Sequence, residues 1–343
     1  MSIRVIATLS VGLGFSGAAL AETPKVATDI TPVHSLVAQV MEGAGAPALL
    51  IAPGASPHGY AMRPSEASAL EAADLVFWMG EGLTPWLEGA IASLAGDAHV
   101  IALLGAAETR VLPFREGIAF DEHDEQDNDD HGHDDHDDHG HDDHDHDDHD
   151  HDDHGHDDHG HDDHDHGHAH DGADPHAWLD PANARVWLGV IAEELAEHDP
   201  ENAALYKANA AAAQAEIAAL EVDIAEQTAP LRDVPFLVFH DAYQYFETRF
   251  DIAAAGAIAL GDAADPGPAR VAALRDMAKE RDIACVFSEP QFDPKLVRNV
   301  FGDSIGHGVL DPLASDVVPG PALYSEILRG MARAMTECLG TQD

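Results

Sequence analysis

The fold class this sequence predicts is α/β: two similar lobes, each a mainly parallel four-stranded sheet flanked by helices, joined by one long rigid helix. Three observations predict it. Short apolar runs alternate with stretches of helical period, the pattern of βαβ units. The alternation occurs twice, early and late in the chain. Between the two sets lies an Ala-rich segment with strong helix propensity and its own start signal.

The elements follow in order. The N-terminus, "MSIRVIATLSVGLGFSGAALAETPK", places Arg4 before an apolar run and ends the run at Ala19-Leu20-Ala21. That is a secretory signal peptide over residues 1–21, cleaved after Ala21, and it predicts export to the periplasm. The run is short for a membrane span. No cysteine follows the cut, which argues against a lipid anchor. The N-terminal lobe, residues 22–198, carries the apolar runs "KVATDI", "ALLIAP", "LVFWMG" and "VIALL". Helical stretches include "TPVHSLVAQV", "PSEASALEAA" and "TPWLEGAIASLA".

In "LDPANARVWLGVIAEELAEH", Asp180 is a helix N-cap and Pro181 takes the first helical position. The linker helix, residues 199–229, repeats the device with Asp199 and Pro200, and Pro230 marks its end. About 29 residues at about 1.5 Å each make a rod of roughly 43 Å. The C-terminal lobe, residues 230–343, contains "VPFLVFH", "IAAAGAIAL", "IACVFSEP" and "GHGVLDPL", with the helix "PGPARVAALRDMAKER" among them.

Residues 115–172 interrupt the first lobe. Asp121 to Asp171 hold 25 of the 64 acidic residues, 18 of the 25 histidines and no Lys or Arg. Such a segment has too little apolar surface to build a core, so a disordered loop is expected. The five-residue unit DDHGH or DDHDH fits no solenoid. The rest of the chain keeps 39 acids against 17 bases, a net charge of −22. Nucleic acid is therefore excluded as a partner, because phosphate would be repelled.

Imidazole and carboxylate together bind zinc, copper and nickel. In the loop the candidate ligands are His131, His133, His136, His139, His141, His144, His146, His149, His151, His154, His156, His159, His161, His164, His166, His168 and His170. Their affinity is expected to be low. Ordering the loop costs entropy, and the surrounding carboxylates raise histidine pKa values so that protons compete with metal.

Seven histidines lie outside the loop. His198 sits near a helix C-terminus, where positive charge is favoured. His99 precedes a strand, His307 lies between glycines in a turn, and His34 is on the first helix, where it has a route to face the cleft. The remaining three differ. His58 follows the second strand, His176 lies in "DPHAWLDP" after the loop, and His240 ends the strand "PFLVFH". Ligands of open α/β sheets bind outside the carboxyl ends of strands. His58 and His240 hold that edge in their own lobes, and His176 can reach it. Asp311 in "LDPL" occupies the same kind of position. Three imidazoles with a carboxylate or a water make a tetrahedral site. The spacing by itself equally allows unrelated surface and core histidines.

The cysteines, Cys285 and Cys338, fit a disulfide in an oxidising compartment or two buried thiols; the spacing is wrong for a CxxC pair.

Five segments, "PGASPHGYAMRPSEASALEAADLVFWMG", "DPHAWLDP", "FLVFHDAYQYFE", "ACVFSEPQF" and "LDPL", occur in an order that resembles the ZnuA family, the zinc-binding periplasmic components of high-affinity zinc ABC importers. The resemblance covers nearly the whole mature chain. It implies two lobes bridged by a long helix, zinc in the cleft, and metal-ligand roles for His58, His176 and His240. It further implies a Cys285–Cys338 disulfide and a membrane permease as partner. Some relatives place glutamate just before the first histidine; here that residue is Pro57, so water or Asp311 completes the shell. Histidine at 240, where manganese-binding relatives tend to carry glutamate, makes the site nitrogen-rich and favours zinc over manganese. Glu289, and less strongly Asp241 and Tyr60, are candidates to orient the imidazoles.

The expected function is capture of zinc as transported ligand and delivery to the permease by a monomer that is not an enzyme. A periplasmic zinc buffer without a transporter and a zinc hydrolase are the alternatives. A three-histidine zinc with an open position is also how hydrolases are built, but no HExxH is present.

Overall fold

The chain has eight short strand segments, most of them continuous apolar runs buried on both faces, and these become two parallel sheets. A computed structural model describes residues 23–115, 117, 119–120, 172–259, 267–292, 294–302 and 304–340. The expected signal peptide and the loop histidines His131 to His170 lie outside the described residues.

The first sheet contains β1 (Val26–Thr28), β2 (Ala48–Leu49), β3 (Leu75–Trp78) and β4 (His99–Ala102), in the order β2-β1-β3-β4. The second contains β5 (Phe236–His240), β6 (Ala254–Ala259), β7 (Cys285–Ser288) and β8 (Gly306–Val309), in the order β6-β5-β7-β8. Every pairing within the sheets is parallel. The first half contributes helices α1 (Thr31–Val40), α2 (Pro64–Glu71) and α3 (Pro85–Leu94). Then come α4 (Pro181–His198), α5 (Ala203–Thr228), α6 (Gln244–Phe250), α7 (Pro268–Glu280), α8 (Pro294–Phe301) and α9 (Leu323–Leu339). No helix among the described residues is long and apolar enough to cross a membrane.

Strand alternation sorts the core. Ala27, Val76 and Trp78 point to one face of the first sheet and pack with Leu70, Leu87 and Ile91 of α2 and α3. Leu237, Phe239 and Val286 do the same in the second sheet, against Leu274 and Met277 of α7. The opposite faces, Val26, Leu75 and Phe77 in one sheet and Phe236, Val238 and Phe287 in the other, belong to a single continuous core with α1, α4, α5 and α9. The two sheets therefore share their inner core, and residues 23–120 and 172–340 form one compact unit.

Asp180 caps α4 by accepting a hydrogen bond from Ala182 N at 2.9 Å, with Pro181 at the first helical position. The next helix starts later than its Asp-Pro signal: α5 begins at Ala203, with Asn202 as N-cap. Asp199 instead accepts hydrogen bonds from Asn202 Nδ2 at 2.7 Å and Tyr206 Oη at 2.8 Å, which secures the turn between α4 and α5. His307, expected in a turn, lies within β8. The flanking glycines are there for lack of room. A Cβ on Gly308 would come within 2.4 Å of Phe287, and one on Gly306 within 3.0 Å of the Cys338 sulfur. Cys285 and Cys338 form a disulfide that ties β7 to α9.

Candidate metal centre

Three imidazoles converge where the carboxyl edges of the two sheets meet. His58, His176 and His240 each offer a ring nitrogen, and these nitrogens all lie within 4.8 Å of one another. The ring centroids are 5.6 Å apart for His58 and His176, 6.4 Å for His58 and His240, and 5.2 Å for His176 and His240. His176 and His240 are buried, at 4% and 3% exposure, while His58 is half-buried.

Each histidine is positioned differently. His58 sits in the loop after β2, which is stapled at several points. Trp86 Nε1 donates to the Pro57 carbonyl at 2.8 Å. Tyr60 Oη donates to Glu66 at 3.0 Å, and Glu66 also accepts from Arg63 N at 2.7 Å to close the start of α2. His176 precedes a 3-10 turn over Ala177–Leu179. Trp178 in that turn donates to the Pro312 carbonyl at 2.9 Å and its own carbonyl accepts from Tyr324 Oη at 2.8 Å. His240 is the last residue of β5.

Two of the imidazoles are held by carboxylates. His176 Nδ1–H donates to Asp174 Oδ1 at 2.7 Å. His240 Nδ1–H donates to Glu289 Oε1, one residue beyond β7. Both carboxylates are almost fully buried. With Nδ1 protonated, each Nε2 carries the lone pair, and the two Nε2 atoms face each other at 3.4 Å. Two nitrogens on one tetrahedral zinc, each about 2.0–2.1 Å from the ion, stand roughly 3.3 Å apart. Paired carboxylates that fix the tautomer are what metal-bound histidines carry. Asp174 was not singled out in the sequence, although "DPH" places it two residues before His176. Glu289 orients an imidazole as expected.

The other expected residues stand elsewhere. Asp311 does not join the three histidines. Its carboxylate accepts from Leu313 N at 3.1 Å, Ser315 N at 2.6 Å and Ser315 Oγ at 3.2 Å, so it shapes its own turn. Tyr60 serves Glu66. Asp241 points to Arg115, whose guanidinium also reaches Glu247 at 2.7 Å. Burial alone would lower the Arg115 pKa, but the carboxylates of Glu247 and Asp241 outweigh it and raise it. Arg115 thus fastens the segment leading to residue 120 onto the second sheet, and Phe120 N donates to the Ala255 carbonyl at 3.0 Å. His34 is buried on α1, where desolvation lowers its pKa, and it is outside the histidine trio.

The first sheet has its own buried acid at the matching edge. Asp29 follows β1 and accepts hydrogen bonds from Ile30 N and Met79 N, both at 2.8 Å. Burial pushes its pKa up to about 7, against the lowering effect of those backbone donors.

The comparisons with known proteins agree with one another. Residues 26–338 match the family model of ZnuA, described as zinc-uptake complex component A, periplasmic. The high-affinity zinc uptake system protein ZnuA of Paracoccus denitrificans is 48% identical over 94% of both chains. Its namesake from Brucella abortus is 45% identical over 95% of both. A crystal structure of ZnuA superposes with a TM-score of 0.67 and 25% identity, over 92% of this chain and 99% of that one. The chain belongs to the ZnuA family of periplasmic zinc-uptake components.

Proposed function

We propose that this protein captures Zn2+ in the cleft between its two sheets, through Nε2 of His176 and His240 and a ring nitrogen of His58, and delivers it to the permease of a zinc ABC importer. The observation that carries this reading is the pair of carboxylate-held imidazoles whose Nε2 atoms stand 3.4 Å apart beside His58. Water fills the fourth position, because the Asp311 carboxylate is committed to its turn. The domain reading is an N-terminal lobe over 22–198, a spacer over 199–229 and a C-terminal lobe over 230–343. The mature protein works as a periplasmic monomer after cleavage at Ala21. The loop histidines collect zinc weakly and raise its local concentration.

The same metal geometry in a hydrolase needs a general base next to the bound water. Asp174 and Glu289, two carboxylates touching the trio, hold imidazole protons instead. That favours a carrier. The test is a zinc titration of the full protein and of a form lacking residues 121–171. The deletion lowers stoichiometry and keeps one tight zinc. Loss of tight binding together with the loop would move the site out of the cleft.

A further inference from the structure

Two histidines with separate explanations in the sequence come together at the other end of the first lobe. His99 opens β4 and His198 ends α4, and their ring centroids are 5.2 Å apart. One residue serves both. The Glu194 carboxylate accepts from His99 Nε2–H at 2.9 Å, and the Glu194 backbone carbonyl accepts from His198 Nδ1–H at 2.9 Å. This fixes both tautomers. The lone pairs are left on Nδ1 of His99 and Nε2 of His198. Both rings are exposed to solvent.

We propose that His99 and His198 form a second metal site, a two-imidazole surface chelate for a borderline divalent ion such as Zn2+, Cu2+ or Ni2+, with water completing the shell. Three arguments support it. Two imidazoles on one tetrahedral ion have ring centroids roughly 5 Å apart, given metal–nitrogen distances of about 2 Å. The same centroid spacing occurs between His176 and His240 in the cleft. Each ring also donates its second nitrogen to a carboxylate or a carbonyl, the arrangement that raises ligand basicity and orients metal-bound histidines. Glu194 acts here as a positioning residue and not as a ligand. With only two protein ligands and an exposed position, the site is weaker than the cleft. It is also separate from it: His99 is at the amino edge of the sheet, one strand length from the carboxyl edge that the cleft occupies.

The experiment is histidine labelling of the full-length protein with diethyl pyrocarbonate in buffered free zinc, read peptide by peptide by mass spectrometry. Zinc is expected to abolish labelling of His99 and His198 together, at a higher free zinc than protects the cleft histidines. His198→Ala removes the protection of His99 and leaves that of His58, the half-buried cleft histidine, intact. Glu194→Gln raises the protecting zinc concentration by roughly 10–100-fold, the usual cost of losing an orienting partner. The proposal is overturned if both residues label equally with and without saturating zinc, or if His99 stays protected in the His198→Ala protein. The cleft peptides report on the proposed function in the same samples, so failure of one site is distinguishable from failure of the other.

Discussion

The two sheets have the same strand order, yet their carboxyl edges are used in opposite ways. In each, the point where the chain switches direction lies between the two central strands, β1 and β3 or β5 and β7, and ligands of such sheets bind at that point. In the second sheet it holds His240 and Glu289, a side-chain pair that turns the other imidazole nitrogen toward Nε2 of His176. In the first sheet it holds Asp29, whose two oxygens are taken by the backbone of Ile30 and Met79. One edge is open to an ion and the other is sealed by its own main chain. The first sheet makes its contribution with a loop histidine, His58, instead of a strand-end residue. A shared topology thus supplies two equivalent places, and the side chain put there decides which becomes a site.

Substitutions can break this contrast. The largest effect is expected from His240→Ala, which removes the proposed strand-end ligand. Zinc affinity, measured by competition with a chelator, should fall by more than the roughly 10–100-fold typical of outer partners. A smaller loss would mean that His58 and His176 hold the ion alone. Next comes Glu289→Gln, which keeps the shape but loses the carboxylate that orients His240; a drop of about 10–100-fold is expected, and Asp174→Asn should act alike on His176. If neither changed affinity, the carboxylates would be structural only.

The smallest effect on zinc belongs to Asp29→Asn, which should leave affinity unchanged. Its effect is on stability against pH. The folded pKa of Asp29, about 7, is above its unfolded value of 3.8. The folded state therefore binds more protons across that window, and Asp29 costs stability as pH rises through it. Denaturant melts at pH 5 and pH 8 should show the wild type losing ground to the variant at the higher pH. An equal gap at both values would contradict the sealed, protonated acid.

Part of this contrast was legible in the sequence. His58 and His240 could be placed at strand ends because apolar runs stop there, and Asp180-Pro181 marked a helix start that the structure keeps. His176 joined them from its place between the loop and a helix start, and the resemblance to the family implied ligand roles for all three. Residues defined by distant partners were not legible. Arg115 meets Asp241 across 126 positions and Trp178 reaches Pro312 across 134, and no local period encodes such pairs. Asp311 stood at a strand end as expected, but its carboxylate found nearer donors in its own turn. His99 and His198 looked ordinary because each is explained by its own element; only the packing of β4 beside α4 makes them neighbours.

The common inner core carries a consequence for unloading. Val26, Phe77, Phe236 and Phe287 belong to one apolar body with the long helices, so prising the halves apart would wet that body. Every 100 Å² of apolar surface so exposed would cost about 2.5 kcal/mol. A route that leaves this core intact is cheaper. His58 is the least enclosed of the three histidines and rides on a loop, whereas its companions are fixed to a strand end and a buried turn. A membrane protein docking on that loop would reach His58, the proposed ligand on the loop, without disturbing the rest.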